Sequence, residues 1–256
     1  MLRKRIIFTL IYCDGYFMQS RNFRLQKVGD LNWLEKNYKF QSIAFSLDEL
    51  IILNASKNHK NTNDFANVVS KLVDKVFIPI AAGGGIRTLN DAELLFRNGA
   101  DKLVINSALF ETPELIKELV KQYGSQSIVA SIDYKKINNK FEVYINDGTL
   151  KIDLSLHDYI KYLEYLEVGE IYLNSIDKDG TGFGYDFNTI KSFEDKINLP
   201  LIIAGGAGNE SHLIEGLSLM NVNAVATANL FNFVGDGLPN ARKKIIDRGF
   251  NIAKWN

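Results

Sequence analysis

The sequence predicts an α/β fold, a (β/α)8 TIM barrel formed by residues 1–256 as one domain, and three observations carry that reading. Eight short apolar runs alternate with amphipathic stretches from one end of the chain to the other. The 256 residues match the size of one such barrel. The second half also repeats the first. At an offset of 121, Pro79 falls on Pro200, Gly84 on Gly205, Gly85 on Gly206, Glu49 on Glu170 and Leu109-Phe110 on Leu230-Phe231. That period is far longer than a solenoid unit. Two half-barrel repeats closing into one barrel account for it. A doubly wound open sheet, which the same alternation would allow, has no reason to repeat this way.

The predicted strands are Ile6–Tyr12, Leu50–Leu53, Phe77–Ala82, Leu103–Ile105, Ile128–Ile132, Ile171–Asn174, Leu201–Ala204 and Ala224–Ala226. All are continuous apolar runs, as parallel strands buried on both faces require. Between them, Asn63-Asp64 opens a predicted helix over Phe65–Lys75, and Thr88 opens one over Leu89–Arg97. Thr112-Pro113-Glu114 reads as an N-cap, a proline at the first helical position and an acidic first turn. That helix continues through Ile116, Leu119 and Val120. After the fifth strand, residues 135–148 form an insertion. Asn138-Asn139 supplies a turn and Phe141–Ile145 alternates, so a hairpin at the catalytic mouth is expected. No Pro/Ser-rich linker separates the halves.

Composition removes several functions. Thirty Lys+Arg balance thirty Asp+Glu, so the basic footprint of a nucleic-acid binder is missing. One cysteine, Cys13, gives no disulfide framework, and three histidines give no zinc-spaced cluster. No metal or cofactor is expected. The apolar run Ile6–Cys13 behind Arg3-Lys4-Arg5 resembles a short signal peptide. Asp14 stops it and no cleavage site follows, so a cytoplasmic protein without membrane spans is expected.

Gly83-Gly84-Gly85 follows the third strand and Gly205-Gly206-Ala207-Gly208 the seventh. In a barrel both lie at the C-terminal face, where active sites are built. Glycine lets backbone N–H groups approach an anion, so two such loops fit a ligand with two phosphate-like ends. Two tight turns without a ligand are the plainer alternative. Asn106-Ser107 and Ala228-Asn229, ending strands four and eight, would complete the two cradles.

The segments Arg5-Ile6-Ile7, Asp48-Glu49-Leu50, Gly83-Gly84-Gly85-Ile86, Gly99-Ala100-Asp101-Lys102, Ser175-Ile176-Asp177-Lys178-Asp179-Gly180-Thr181 and Gly205-Gly206-Ala207-Gly208 resemble the cyclase (synthase) subunit of imidazole glycerol phosphate synthase. The resemblance spans nearly the whole chain. It implies a half-barrel-duplicated lyase within a glutamine amidotransferase complex. Ammonia from a separate glutaminase subunit, the other half of a heterodimer, passes through the barrel. There it cleaves and cyclises a bisphosphate ribonucleotide into imidazole glycerol phosphate and an aminoimidazole carboxamide ribotide.

By that resemblance, aspartates on strands one and five act as general acid and base. The strand-five position is Asp133, but the strand-one position is Ile11, which carries no proton to transfer. Gln19 stands where the family's first loop has a lysine. Asp177 and Asp179 match pocket residues and either act in catalysis or cap their loop. Arg5, Glu49, Lys102 and Glu170, just before strands one, two, four and six, match a ring of paired charges at the ammonia entrance. From spacing alone they read as solvated strand ends. Asp101 matches a residue that bonds the glutaminase. Relatives in bacterial surface-polysaccharide pathways resemble this pattern in lacking the strand-one aspartate. They imply a chain that passes ammonia to an ATP-dependent sugar amidotransferase. A working histidine-biosynthesis cyclase and a non-catalytic scaffold for a glutaminase stand as alternatives. The related sugar isomerase of the same fold is weakened by Ile11 equally.

Overall fold

The computed structural model describes residues 3–38, 43, 45–57, 62–138, 140–192, 197–233 and 235–254. Eight parallel strands close on themselves: β1 (Arg5–Cys13), β4 (Glu49–Asn54), β5 (Ile80–Gly83), β6 (Lys102–Ile105), β7 (Ile128–Ile137), β10 (Glu170–Ser175), β11 (Leu201–Ala204) and β12 (Val222–Thr227). Pairing of β7 with β10 and of β12 with β1 completes the ring, the (β/α)8 barrel of the sequence reading. Their runs are buried almost throughout, because helices cover the outside while side chains fill the axis.

The half-barrel repeat is visible in the hydrogen bonds. Leu50 N–H donates to Pro79 O at 3.0 Å, and 121 residues later Ile171 N–H donates to Pro200 O at 2.9 Å. The matching strands β4 and β10 have the same length and the same burial pattern. Side chains also cap strand starts in both halves: Asp101 accepts from Ile80 N–H at 2.8 Å and Asn223 from Leu201 N–H at 3.0 Å.

Nine helices lie among the described residues: α1 (Leu31–Tyr38), α2 (Thr62–Val73), α3 (Leu89–Arg97), α4 (Ser107–Glu111), α5 (Pro113–Tyr123), α6 (Leu156–Tyr165), α7 (Phe187–Ser192), α8 (Glu210–Ser218) and α9 (Gly237–Asp247). Helix α3 starts as predicted, in a reciprocal capping box between Thr88 and Asp91. Thr112 makes no such cap. It ends α4 as well as starting α5, and its hydroxyl donates back to Ala108 O. Helix α2 begins at Thr62, ahead of the predicted start, so Asp64 lies inside its first turn. No described helix is long and apolar enough to cross a membrane.

Three further differences concern strands. The run Phe77–Ala82 is not a strand over its length: pairing starts at Ile80, and Phe77 is 85% exposed. Pro79 has no N–H for the ladder, so the apolar residues ahead of it stay outside the sheet. The first βα connection is a hairpin, β2 (Tyr16–Arg21) with β3 (Arg24–Gly29), where only a loop is expected from the sequence. The insertion at residues 135–148 does form a hairpin, but a larger one. Strand β7 itself runs to Ile137 and pairs with β8 (Lys140–Ile145), and β9 (Leu150–Ser155) adds a third strand. Asn138 turns the chain in the left-handed region, while Asn139 lies outside the described residues.

Candidate functional site

Side chains at every second strand position point inward, and along the axis they form three layers. Arg5, Glu49, Lys102 and Glu170 make the first, at the N-terminal end. Arg5 reaches Glu49 at 2.6 Å and also binds Glu170, while Lys102 reaches Glu49 at 3.0 Å and Glu170 at 3.3 Å. Each carboxylate therefore bridges both cations. Glu49 and Glu170 are buried, so the solvated-strand-end reading fails. Burial works against the Arg5 guanidinium, but Glu170 and Glu49 outweigh it and hold its pKa above the ordinary value.

Above this ring comes an apolar layer of Ile7, Ile51, Ala81, Val129, Ile202 and Ala224, all buried completely. Above that the axis turns polar. Thr9, Ser131, Tyr172, Asn106, Asn174 and Asp133 floor a cavity of about 600 Å³ that opens at the C-terminal face. Thr9 Oγ1 and the Tyr172 hydroxyl are 3.2 Å apart and share a hydrogen bond. Asp133 is clamped on both oxygens: Asn174 Nδ2 donates to one at 2.9 Å and Asn106 Nδ2 to the other at 3.1 Å.

Burial raises the Asp133 carboxyl from 3.8 to about 7. Asn174 opposes the shift, and nearby Asp179 and Asp147 add to it. The folded chain therefore keeps this proton between pH 4 and 7 where the unfolded chain has lost it. Its stabilising effect is complete below 3.8 and declines as pH rises to about 7. Asp133→Asn removes that dependence. In denaturation at several pH values, wild type should lose on the order of 1 kcal/mol per pH unit relative to the variant across this window. A constant difference would mean that Asp133 ionises freely.

Ile11 lines the same cavity from β1 and brings no ionisable group to it. Asp179 also lines it and is 7% exposed; it accepts from Ser20 Oγ at 2.5 Å and from Phe23 N–H at 3.0 Å. Burial raises its pKa against those two donors. Asp177 is not among the lining residues. Its carboxylate accepts from Lys136 N–H at 2.8 Å and ties the β7–β8 hairpin to the following loop. Gln19 fastens the β2–β3 hairpin over the mouth, accepting from Leu230 N–H at 2.8 Å.

Gly84, Gly85, Gly205 and Gly206 all line the cavity with positive φ. A Cβ on Gly84 would stand 2.2 Å from Asn54 O, and one on Gly205 would stand 2.6 Å from Ser175 O, the equivalent atom of the other half. Both loops thus need glycine to lie against the neighbouring strand. Ser107, Ala228 and Asn229 complete the rim. The Ser107 hydroxyl accepts from Asn146 N–H at 3.0 Å, and the Asn229 side chain accepts from Phe231 and Asn232 N–H. Asn106 turns its amide to Asp133 instead. Asp101 lies at the opposite, N-terminal face.

The cations Arg24, Lys57 and Arg87 also line the mouth, and sequence reasoning missed them. It missed Thr9, Tyr172 and Asn174 as well. A signal was present, because stepping by two from Glu170 puts Tyr172 and Asn174 on the same inward face.

The family model for the histidine biosynthesis protein matches residues 22–235. The chain is 44% identical over 256 residues to a protein of Parasynechococcus marenigrum (strain WH8102) provisionally named imidazole glycerol phosphate synthase subunit hisF2, covering 100% of this chain and 95% of that one. It is 37% identical over 241 residues to the imidazole glycerol phosphate synthase subunit HisF of Hydrogenobaculum sp. (strain Y04AAS1), covering 93% and 94%. Identity to HisF of Bacillus cereus (strain G9842) is 35% over 254 residues, covering 98% and 99%.

Proposed function

This chain belongs to the histidine biosynthesis protein family, among its HisF-like members, and on that premise we propose that it receives ammonia and delivers it to chemistry other than cyclisation. Ammonia from a glutaminase subunit enters at the ring of Arg5, Glu49, Lys102 and Glu170 and moves along the axis to the mouth. The acceptor is a sugar of a surface polysaccharide, amidated by an ATP-dependent partner. One observation supports this reading: the four charges pair in a complete ring, while Ile11 lines the cavity at the position where the resemblance places the cyclase's second proton-transfer group. The alternative, a cyclase in histidine biosynthesis, draws support from Asp179 as a second carboxyl in the same cavity. Complementation of a histidine auxotroph lacking its cyclase separates them. Growth at the normal rate would favour the alternative.

In this reading a phosphorylated ligand lies between Gly84, Gly85, Asn106 and Ser107 on one side and Gly205, Gly206, Ala228 and Asn229 on the other. Arg87 lines the mouth beside the first group, with its guanidinium paired to Glu111, and in this reading it supplies charge there. Arg87→Gln should weaken binding of a bisphosphorylated sugar about tenfold in calorimetry, as loss of a charge-assisted hydrogen bond does. Arg97→Gln on the outer helix α3 is the control. Equal affinity in all three proteins would leave the loops as turns.

The glutaminase docks on the N-terminal face with Asp101 at the contact. Asp101→Lys should weaken the complex in ultracentrifugation more than Glu118→Lys on α5. Asp101→Asn, which keeps an acceptor for Ile80 N–H, separates loss of charge from loss of the strand cap. Docking on the loop-bearing face would defeat the channel.

A further inference from the structure

We propose that the polar floor of the cavity is an ammonium-binding way station, in which Asp133 captures ammonia arriving along the axis as the ammonium ion. The proposal rests on the ammonia-channel reading and assigns the floor a job within it. Asp133 is 9% exposed, and no described lysine, arginine or histidine forms an ion pair with it. Buried carboxyl groups in proteins are normally paired or hydrogen-bonded to cations. Among the described residues, its donors are the amides of Asn106 and Asn174. Around it are oxygen acceptors for the directional N–H groups of ammonium: the carboxylate itself, the hydroxyls of Thr9 and Tyr172, and Ser131.

The step balances. Neutral ammonia takes the proton of the Asp133 carboxylic acid, leaving a carboxylate and an ammonium ion in contact. Ammonia is a far stronger base than a carboxylate, and a carboxyl raised to about 7 keeps a useful share of its protons near neutrality. The other ionisable groups that bear on it are the Asp179 and Asp147 carboxyls and the Tyr159 and Tyr172 phenols. The two carboxylates add to the attraction for a cation. The layer beneath makes capture directional. On the channel reading neutral ammonia crosses the buried layer of Ile7, Ile51, Val129 and Ile202, whereas an ion would have to give up its solvation to return through it. Transfer onward to the mouth needs only that an acceptor take the ammonia and leave the proton on Asp133.

The test uses the isolated full chain and 15N-ammonium as probe. Bound ammonium, shielded from water, gives a nitrogen resonance with slowly exchanging protons, distinct from the free ion. A saturable signal is expected in the millimolar range, growing as pH rises through about 7, where Asp133 ionises. Asp133→Asn should abolish it and Asn174→Leu weaken it about tenfold. Asp179→Asn, which removes a carboxylate that adds to the attraction from outside the floor, should weaken it less than Asn174→Leu does. Thermal unfolding of each variant confirms that it folds. Three results would overturn the proposal: no saturable binding by wild type, binding that survives Asp133→Asn, or displacement by potassium at equal concentration. Transfer of the glutamine amide nitrogen by the glutaminase complex is measured separately. Transfer without ammonium binding removes the way station and keeps the channel; binding without transfer does the reverse.

Discussion

Wild-type protein supplied with the bisphosphate ribonucleotide and an ammonium salt is expected to cyclise it about 10²–10⁴-fold more slowly than an enzyme with both proton-transfer groups. Ile11→Asp should recover part of that loss. The geometry favours the rescue. In the closed strand order, β1 and β7 are four strands apart in either direction, so residues 11 and 133 face each other across the axis. An aspartate at 11 would look at Asp133 over the cavity from the side that Ile11 now occupies. Gln19 limits the gain, because its side chain is committed to Leu230 N–H. Steady-state turnover of wild type near 10 per second, typical of an ordinary enzyme, would defeat the assignment and return the chain to histidine biosynthesis.

Glu49→Ala should destabilise the fold by about 3 kcal/mol, the low end of what breaking a buried pair costs. Glu49 is 2% exposed and bonds both Arg5 and Lys102, so its loss leaves two cations with Glu170 alone. The cations themselves are about one-fifth exposed, and water screens part of the imbalance. Removing Lys102 together with Glu49, as Glu49→Leu with Lys102→Met, restores charge balance and should cost less than Glu49→Ala. Urea denaturation of the three proteins measures this directly. A loss under about 1 kcal/mol for Glu49→Ala would mean that the ring behaves as an ordinary surface pair.

Much of the barrel was legible because its signals are local. A parallel strand buried on both faces is a continuous apolar run, and Leu201–Ala204 emerged with its predicted bounds. The repeat at 121 residues aligned Glu49 with Glu170 and Gly84 with Gly205, and those pairs occupy equivalent places in the two halves. Where side chains compete with backbone pairing, the local signal failed. Pro79 cut short the strand expected from Phe77. The β2–β3 hairpin contains Arg21 and Arg24 facing each other near its turn and has no apolar run to announce it.

The sequence by itself determined the strand order of types, the doubled half-barrel, the glycines that the two loops need and the four charges at strand starts, which the structure makes the first residues of β1, β4, β6 and β10. The doubled half-barrel follows from the repeat at 121 residues, and the others from each residue and its close neighbours in the chain. Only the tertiary structure decided which of those charges meet, that Asp179 enters the cavity while Asp177 ties down a hairpin, and that Asn106 and Asn174 clamp Asp133. The physical reason is closure. Asn106 follows the end of β6, while Asp133 and Asn174 lie on the next two strands, β7 and β10, and only closure of the sheet brings their side chains together on the axis.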